Sequence, residues 1–115
     1  MLTFKELSVT NKQRAERWHS GGLGEWTPSD WACAAAGEMG EVCNAVKKWN
    51  RIEQHIASNN NPADLPKALQ SIATEIGDTI VYLDLLAQRM GIDTETAVRE
   101  TFNRISIREE MPERL

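Results

Sequence analysis

The 115-residue sequence is poor in most of the features that would assign a chain to a special class. It has no apolar run long enough to cross a bilayer, and its first residues form no signal-peptide core, so a cytoplasmic protein without a membrane partner is expected. Positive charge is in deficit: 13 Lys and Arg stand against 17 Asp and Glu, a net charge of −4, and no basic stripe runs along the chain. That argues against an electrostatic grip on a phosphate backbone, and no nucleic acid partner is expected. Cysteine is scarce, with two residues. Cys33 and Cys43 lie ten apart in what reads as one helix, about 15 Å along its axis, whereas a disulfide needs Cα atoms within about 7 Å. Neither has the neighbours of a zinc knuckle, so both read as small buried thiols in a helix interface. Strand-like alternation, internal repeats and low-complexity segments are also missing, apart from a short asparagine run.

What the chain does have is helical periodicity and punctuation. A first helix opens at Thr3, with Thr3 and Glu6 at capping-box spacing, and runs to about Ser20, where Gly21, Gly22 and Gly24 break it. Thr27 then reads as an N-cap with Pro28 at the first helical position. From there Trp31, Ala35, Val42, Ala45, Val46 and Trp49 recur at helical spacing to about Ile56. Ser58 to Pro66 reads as a surface loop. A third helix carries the apolar stripe Leu69, Ile72, Ile76, Ile80, Leu83 and Leu86 and ends at Gly91. Asp93 caps a fourth, with Ala97, Val98, Thr101, Phe102 and Ile105 as its inward face, and the charged tail beyond Arg108 is expected to fray. The fold class is therefore all-α, within a single domain spanning 1–115.

Two acidic pairs stand out against this background. Glu38 and Glu41 lie three apart on the second helix, and Glu75 and Asp78 three apart on the third, so each pair shares one patch of its helix. Like charges at that spacing destabilise a helix slightly, and no Lys or Arg three or four residues away offsets them. Both pairs border apolar stripes, where carboxylates need a compensating charge. Four carboxylates from two packed helices make an all-oxygen site suited to Mg²⁺, with Mn²⁺ possible, rather than to zinc. Gly37, Gly40 and Gly77 sit beside these acids in mid-helix, at a cost of about 1 kcal/mol each relative to alanine. Two readings fit them: close helix packing, or room for a phosphate chain. A third pair, Glu110 and Glu113, sits in the charged tail beside Arg114 and reads as solvated surface.

The segments Glu38-Met39-Gly40-Glu41 and Glu75-Ile76-Gly77-Asp78, followed by Tyr82-Leu83-Asp84-Leu85-Leu86-Ala87 and by Phe102-Asn103-Arg104, resemble the MazG-type all-α nucleoside triphosphate pyrophosphohydrolases. The likeness covers roughly residues 30 to 108. It departs at Gly37, where the family pattern has a further glutamate, and in the longer spacer between the two motifs.

The resemblance implies a four-helix bundle-like fold with the second and third helices as an antiparallel core. It also implies Mg²⁺-dependent cleavage of (d)NTP to (d)NMP and pyrophosphate in nucleotide-pool house-cleaning. Glu38, Glu41, Glu75 and Asp78 would hold the metal, and Glu38 or Glu41 would activate water. Lys47, Arg99 and Asn103 become candidates for phosphate contacts, and Trp18, Trp31 and Trp49 for the base. A homodimer or homotetramer is expected, because relatives build their sites at subunit interfaces.

The alternatives are a dUTP- or phosphoribosyl-ATP-type pyrophosphohydrolase and a non-catalytic helical module that binds a metal or a partner. A carboxylate-bridged di-iron oxidase would need two Glu-x-x-His motifs. The chain has one, Glu16 to His19, and His55 lacks a glutamate three residues before it.

Overall fold

The computed structural model describes residues 1–54 and 61–115. Four helices account for most of them: α1 (Phe4–Trp18), α2 (Pro28–Glu53), α3 (Leu65–Arg89) and α4 (Thr94–Arg108), with short 3₁₀ turns at Gly22–Glu25 and Pro62–Asp64. No strand occurs among the described residues. The chain divides into two compact units, one formed by Ser29–Leu83 and the other by Met1–Pro28 with Asp84–Leu115.

The helix starts follow local chemistry. At Thr3 the capping box is complete: the Thr3 hydroxyl accepts from the Glu6 amide at 3.1 Å, and the Glu6 carboxylate accepts from the Thr3 amide at 3.0 Å. Asp93 caps α4 by accepting from the Thr96 amide at 2.9 Å. The loop expected over Ser58 to Pro66 is shorter than that at its C-terminal side. Asn61 accepts from the Ala63 amide to start the 3₁₀ turn, and α3 already includes Leu65 and Pro66. Proline is tolerated there because a first-turn residue has no intrahelical use for its N–H. The end of α2 expected near Ile56, the remainder of that loop and His55 lie outside the described residues.

Within the unit Ser29–Leu83, α2 and α3 run antiparallel. Trp31 meets Tyr82 with ring centroids 6.3 Å apart, Glu38 meets Glu75, and Ala45 and Ala68 line one groove, so positions fall on α3 as they rise on α2. On α2 the residues Trp31, Ala35, Glu38, Val42, Ala45, Trp49 and Ile52, all buried or half-buried, are spaced alternately four and three apart. Leu65, Ala68, Ile72, Glu75, Thr79 and Tyr82 do the same on α3. These are the seams of a two-helix coiled-coil contact.

In the other unit, α1 and α4 are joined through a buried acid. Asp84, wholly buried, accepts from the Ser8 hydroxyl (2.6 Å), Asn11 Nδ2 (2.9 Å), Gln88 Nε2 (2.8 Å) and the Thr94 hydroxyl (2.6 Å). Burial raises its pKa, but the hydrogen bonds from Ser8, Thr94, Asn11 and Gln88 outweigh it and hold the carboxyl below its ordinary value.

Four expectations are corrected here. The α3 stripe does not all face inward: Leu69, Ile76, Ile80 and Leu83 are exposed, because the buried seam lies one residue earlier round the helix. On α4, Val98, Phe102 and Ile105 are also exposed and line an open groove of about 450 Å³, while the buried position is Ser106. Cys33 and Cys43 are free, as expected, but exposed rather than buried. The tail does not fray. Glu110 turns the chain with φ 56°, the Met111 amide bonds Ser106 O, and Leu115 pairs with the Asn103 side chain through its amide (2.8 Å) and its carbonyl (3.3 Å).

Candidate metal centre

Glu38 and Glu75 sit at seam positions, where every turn above and below carries an apolar or small side chain apart from Thr79. The antiparallel register sets them opposite each other. Asp78, one turn beyond Glu75, reaches the same spot from the flank. Carboxylate oxygens of Glu38, Glu75 and Asp78 all lie within 4.8 Å of one another. Glu38 and Glu75 are half-buried and Asp78 is exposed. Glu41 is exposed and stands outside this trio, one turn past Glu38.

The electrostatics are one-sided. The Glu38 pKa is raised, first by burial and then by the charges of Asp78, Glu75 and Glu41. None of the four acids forms an ion pair among the described residues. The nearby Thr79 hydroxyl donates to the Glu75 main-chain carbonyl at 2.8 Å and leaves the carboxylate free of that contact. Three carboxylates brought together with no Lys or Arg partner among the described residues offer hard oxygen donors, a fit for Mg²⁺ or Mn²⁺ and a poor one for a soft ion. The glycines nearby are not explained by packing within the chain, since a Cβ at Gly37, Gly40 or Gly77 would meet nothing within 4 Å.

The remaining sequence candidates are placed as follows. Lys47 is exposed and without an ion pair among the described residues. Trp49 is half-buried in the α2 seam, and its indole Nε1 is buried without an acceptor among the described residues. Trp31 is 1% exposed and packs as a core residue, so its ring offers no face to a ligand in this conformation. Trp18, Arg99 and Asn103 belong to the other unit. Trp18 is 71% exposed under the Arg14 guanidinium, 5.0 Å from its ring. Arg99 pairs with Glu95 at 2.6 Å, and Asn103 is held by Leu115.

Two groupings escaped sequence reasoning. One is the Asp84 network, which joins residues up to 80 apart in sequence and leaves no local signal. The other is the pairing of His19 Nδ1 with Glu25 at 2.7 Å, edge-on to Trp26 at 4.9 Å.

The family model for the MazG nucleotide pyrophosphohydrolase domain matches residues 27–111, a span that contains all four acids. No curated protein and no solved structure matches the chain.

Proposed function

Because the chain belongs to the MazG nucleotide pyrophosphohydrolase family, we propose that it is a Mg²⁺-dependent enzyme that hydrolyses a nucleoside or deoxynucleoside triphosphate to the monophosphate and pyrophosphate. The observation that carries this reading is the convergence of Glu38, Glu75 and Asp78 from two helices without a counter-charge. These three residues would hold the ion, which supplies charge neutralisation of the triphosphate and a more acidic bound water. Glu41 stands one turn from Glu38 and outside the trio, where its carboxylate can orient the attacking water or accept its proton. Water adds across the α–β phosphoanhydride bond. Its oxygen forms the new bond to phosphorus, the bridging P–O bond breaks, and pyrophosphate leaves. Lys47 and Trp49, on the same helix as Glu38, are the substrate contacts this reading favours within the hairpin. Arg99, Asn103 and Trp18 are carried over from the family pattern alone.

The reading includes a cytoplasmic location, a role in nucleotide-pool house-cleaning and a homodimer or homotetramer. No helix among the described residues is long and apolar enough to cross a membrane. The oligomer is supported by the exposed Leu69, Ile76, Ile80 and Leu83 of α3.

The test is pyrophosphate release from a panel of NTPs and dNTPs with and without Mg²⁺, beside Glu75→Gln and Asp78→Asn. Turnover should require the metal and fall by about 100-fold or more in both folded variants. Metal binding without turnover on any nucleotide would move the chain to the non-catalytic alternative.

A further inference from the structure

The acidic trio is one end of a longer charged flank. Toward the end of the hairpin where α2 stops and α3 begins, a groove of about 330 Å³ opens between the two helices. Ala45 and Lys48 line it from α2, and Asp64, Lys67, Ala68 and Ser71 from the α3 side, all within the unit Ser29–Leu83. Ala45 and Ala68 meet the seam with single methyl groups, which leaves the gap. Lys48 and Lys67 bring an ammonium from each helix against the one carboxylate of Asp64, so the lining is net positive. Neither lysine forms an ion pair among the described residues. The Ser71 hydroxyl is a further donor. On the same stretch of α2, the Trp49 indole N–H is buried without an acceptor among the described residues. Donors outnumber acceptors here, and no aromatic ring lines the groove for a base to stack on. An oxyanion suits such a lining.

Helix geometry aligns this groove with the acids. At about 100° per residue, Lys48 falls within about 20° of Glu41 round α2. Lys67 and Ser71 each fall within about 20° of Asp78 round α3. The steps along the axis are short. Ala45 is four residues past Glu41 and Ser71 is four before Glu75, about 6 Å of rise in each case. Carboxylates and ammoniums therefore follow one another along one flank of the hairpin.

We infer that the groove is the subsite for the terminal phosphate of the triphosphate, with Lys48, Lys67 and Ser71 as its donors. The phosphate chain then lies along the flank, with its scissile α–β bond at the carboxylate centre and its leaving pyrophosphate toward the start of α3. The two ammoniums meet the charge that collects on pyrophosphate as the bridging P–O bond breaks. This inference rests on the reaction proposed above and adds the direction in which the substrate lies. It also refines the choice of lysine, since Lys47 lies about 180° from Glu38 round α2 and Lys48 on the acidic flank.

The test is a titration that needs no turnover. Full-length protein in Mg²⁺ is titrated with inorganic tripolyphosphate, which is the substrate's phosphate chain without a nucleoside, and separately with orthophosphate. Tripolyphosphate should bind the wild type at least about tenfold more tightly than orthophosphate, and chelation of the metal should weaken it. Lys48→Gln and Lys67→Gln should each weaken tripolyphosphate about tenfold or more. Both positions are exposed, so circular dichroism and the Mg²⁺-dependent thermal shift should match the wild type. Tripolyphosphate binding that survives both substitutions would overturn the subsite. Lysine-dependent binding that is equal for the two anions and indifferent to Mg²⁺ would mean a free-anion site, and would overturn the assigned direction. If no nucleotide is cleaved while tripolyphosphate still needs the metal and both lysines, the reaction fails and the phosphate subsite stands.

Discussion

Two buried or half-buried acids in this chain, Glu38 and Asp84, titrate in opposite senses. Burial first, and then the charges of Asp78, Glu75 and Glu41, raise the folded-state pKa of Glu38 above the ordinary 4.5. The folded protein then binds the proton more tightly than the unfolded chain. In the absence of metal, stability attributable to Glu38 must fall as pH rises above 4.5 through the folded value. Urea midpoints measured across that range in chelator should carry this slope, and Glu38→Gln should remove it. Asp84 is the reverse case. Its four donors hold the folded pKa below 3.8, so its contribution is complete above 3.8 and is lost as pH falls toward the folded value. Asp84→Ala strands donors on Ser8, Asn11, Gln88 and Thr94, and should cost about 3 kcal/mol or more in the same unfolding experiment at neutral pH. If Asp84→Ala were neutral, the network would be ornamental to the fold.

At the scale of the helix, the sequence was readable wherever a rule is local. The Thr3–Glu6 box, the Asp93 cap and the E-x-x-E and E-x-x-D pairs need neighbours only a turn away, and the structure bears out the two caps. The two pairs lie on the expected helices, but three of their acids converge instead of four. The face that each helix buries was less legible, for a physical reason. On α3 two apolar seams lie side by side, and a stripe drawn through Leu69, Ile72 and Ile76 mixes them. A clearer signal was present: alternate four-and-three spacing puts Glu38 and Glu75 in register with Trp31, Ala35, Val42 and Ala45 on one helix and Leu65, Ala68 and Ile72 on the other. An acid in phase with a seam is a stronger pointer than an acid beside one. On α4 the apolar face is the outward one, and no intrahelical pattern distinguishes a face that meets its own chain from one left open. The glycines test the helix directly. Since nothing lies within 4 Å of a Cβ at Gly77, Gly77→Ala should raise the unfolding free energy by about 0.5–1 kcal/mol. A loss of stability in that variant would mean that a second chain or a ligand occupies the space.

At the scale of the molecule, the hairpin of α2 and α3 is an unfinished structure, with like charges placed across a packing seam. Glu38 and Glu75 occupy positions that an apolar pair would fill more favourably, so the metal-free hairpin gives up stability at its middle. A divalent ion held by Glu38, Glu75 and Asp78 would reverse the sign of that contact, because each carboxylate would then face a shared cation. Binding to the folded state alone raises stability by RT ln(1 + [L]/Kd), about 2.7 kcal/mol when Mg²⁺ stands at 100 times Kd. Thermal unfolding of the wild type should therefore shift upward with added Mg²⁺ and downward with chelator, with no nucleotide present. Glu38→Gln should behave differently on both counts. Its metal-free melting temperature should exceed that of the metal-free wild type, because one member of the repelling trio is neutral, and added Mg²⁺ should shift it little. A wild type insensitive to Mg²⁺ and Mn²⁺, together with a Glu38→Gln variant no more stable than the metal-free wild type, would mean that the three carboxylates do not form an ion site. The reaction would then have to be sought elsewhere on the chain.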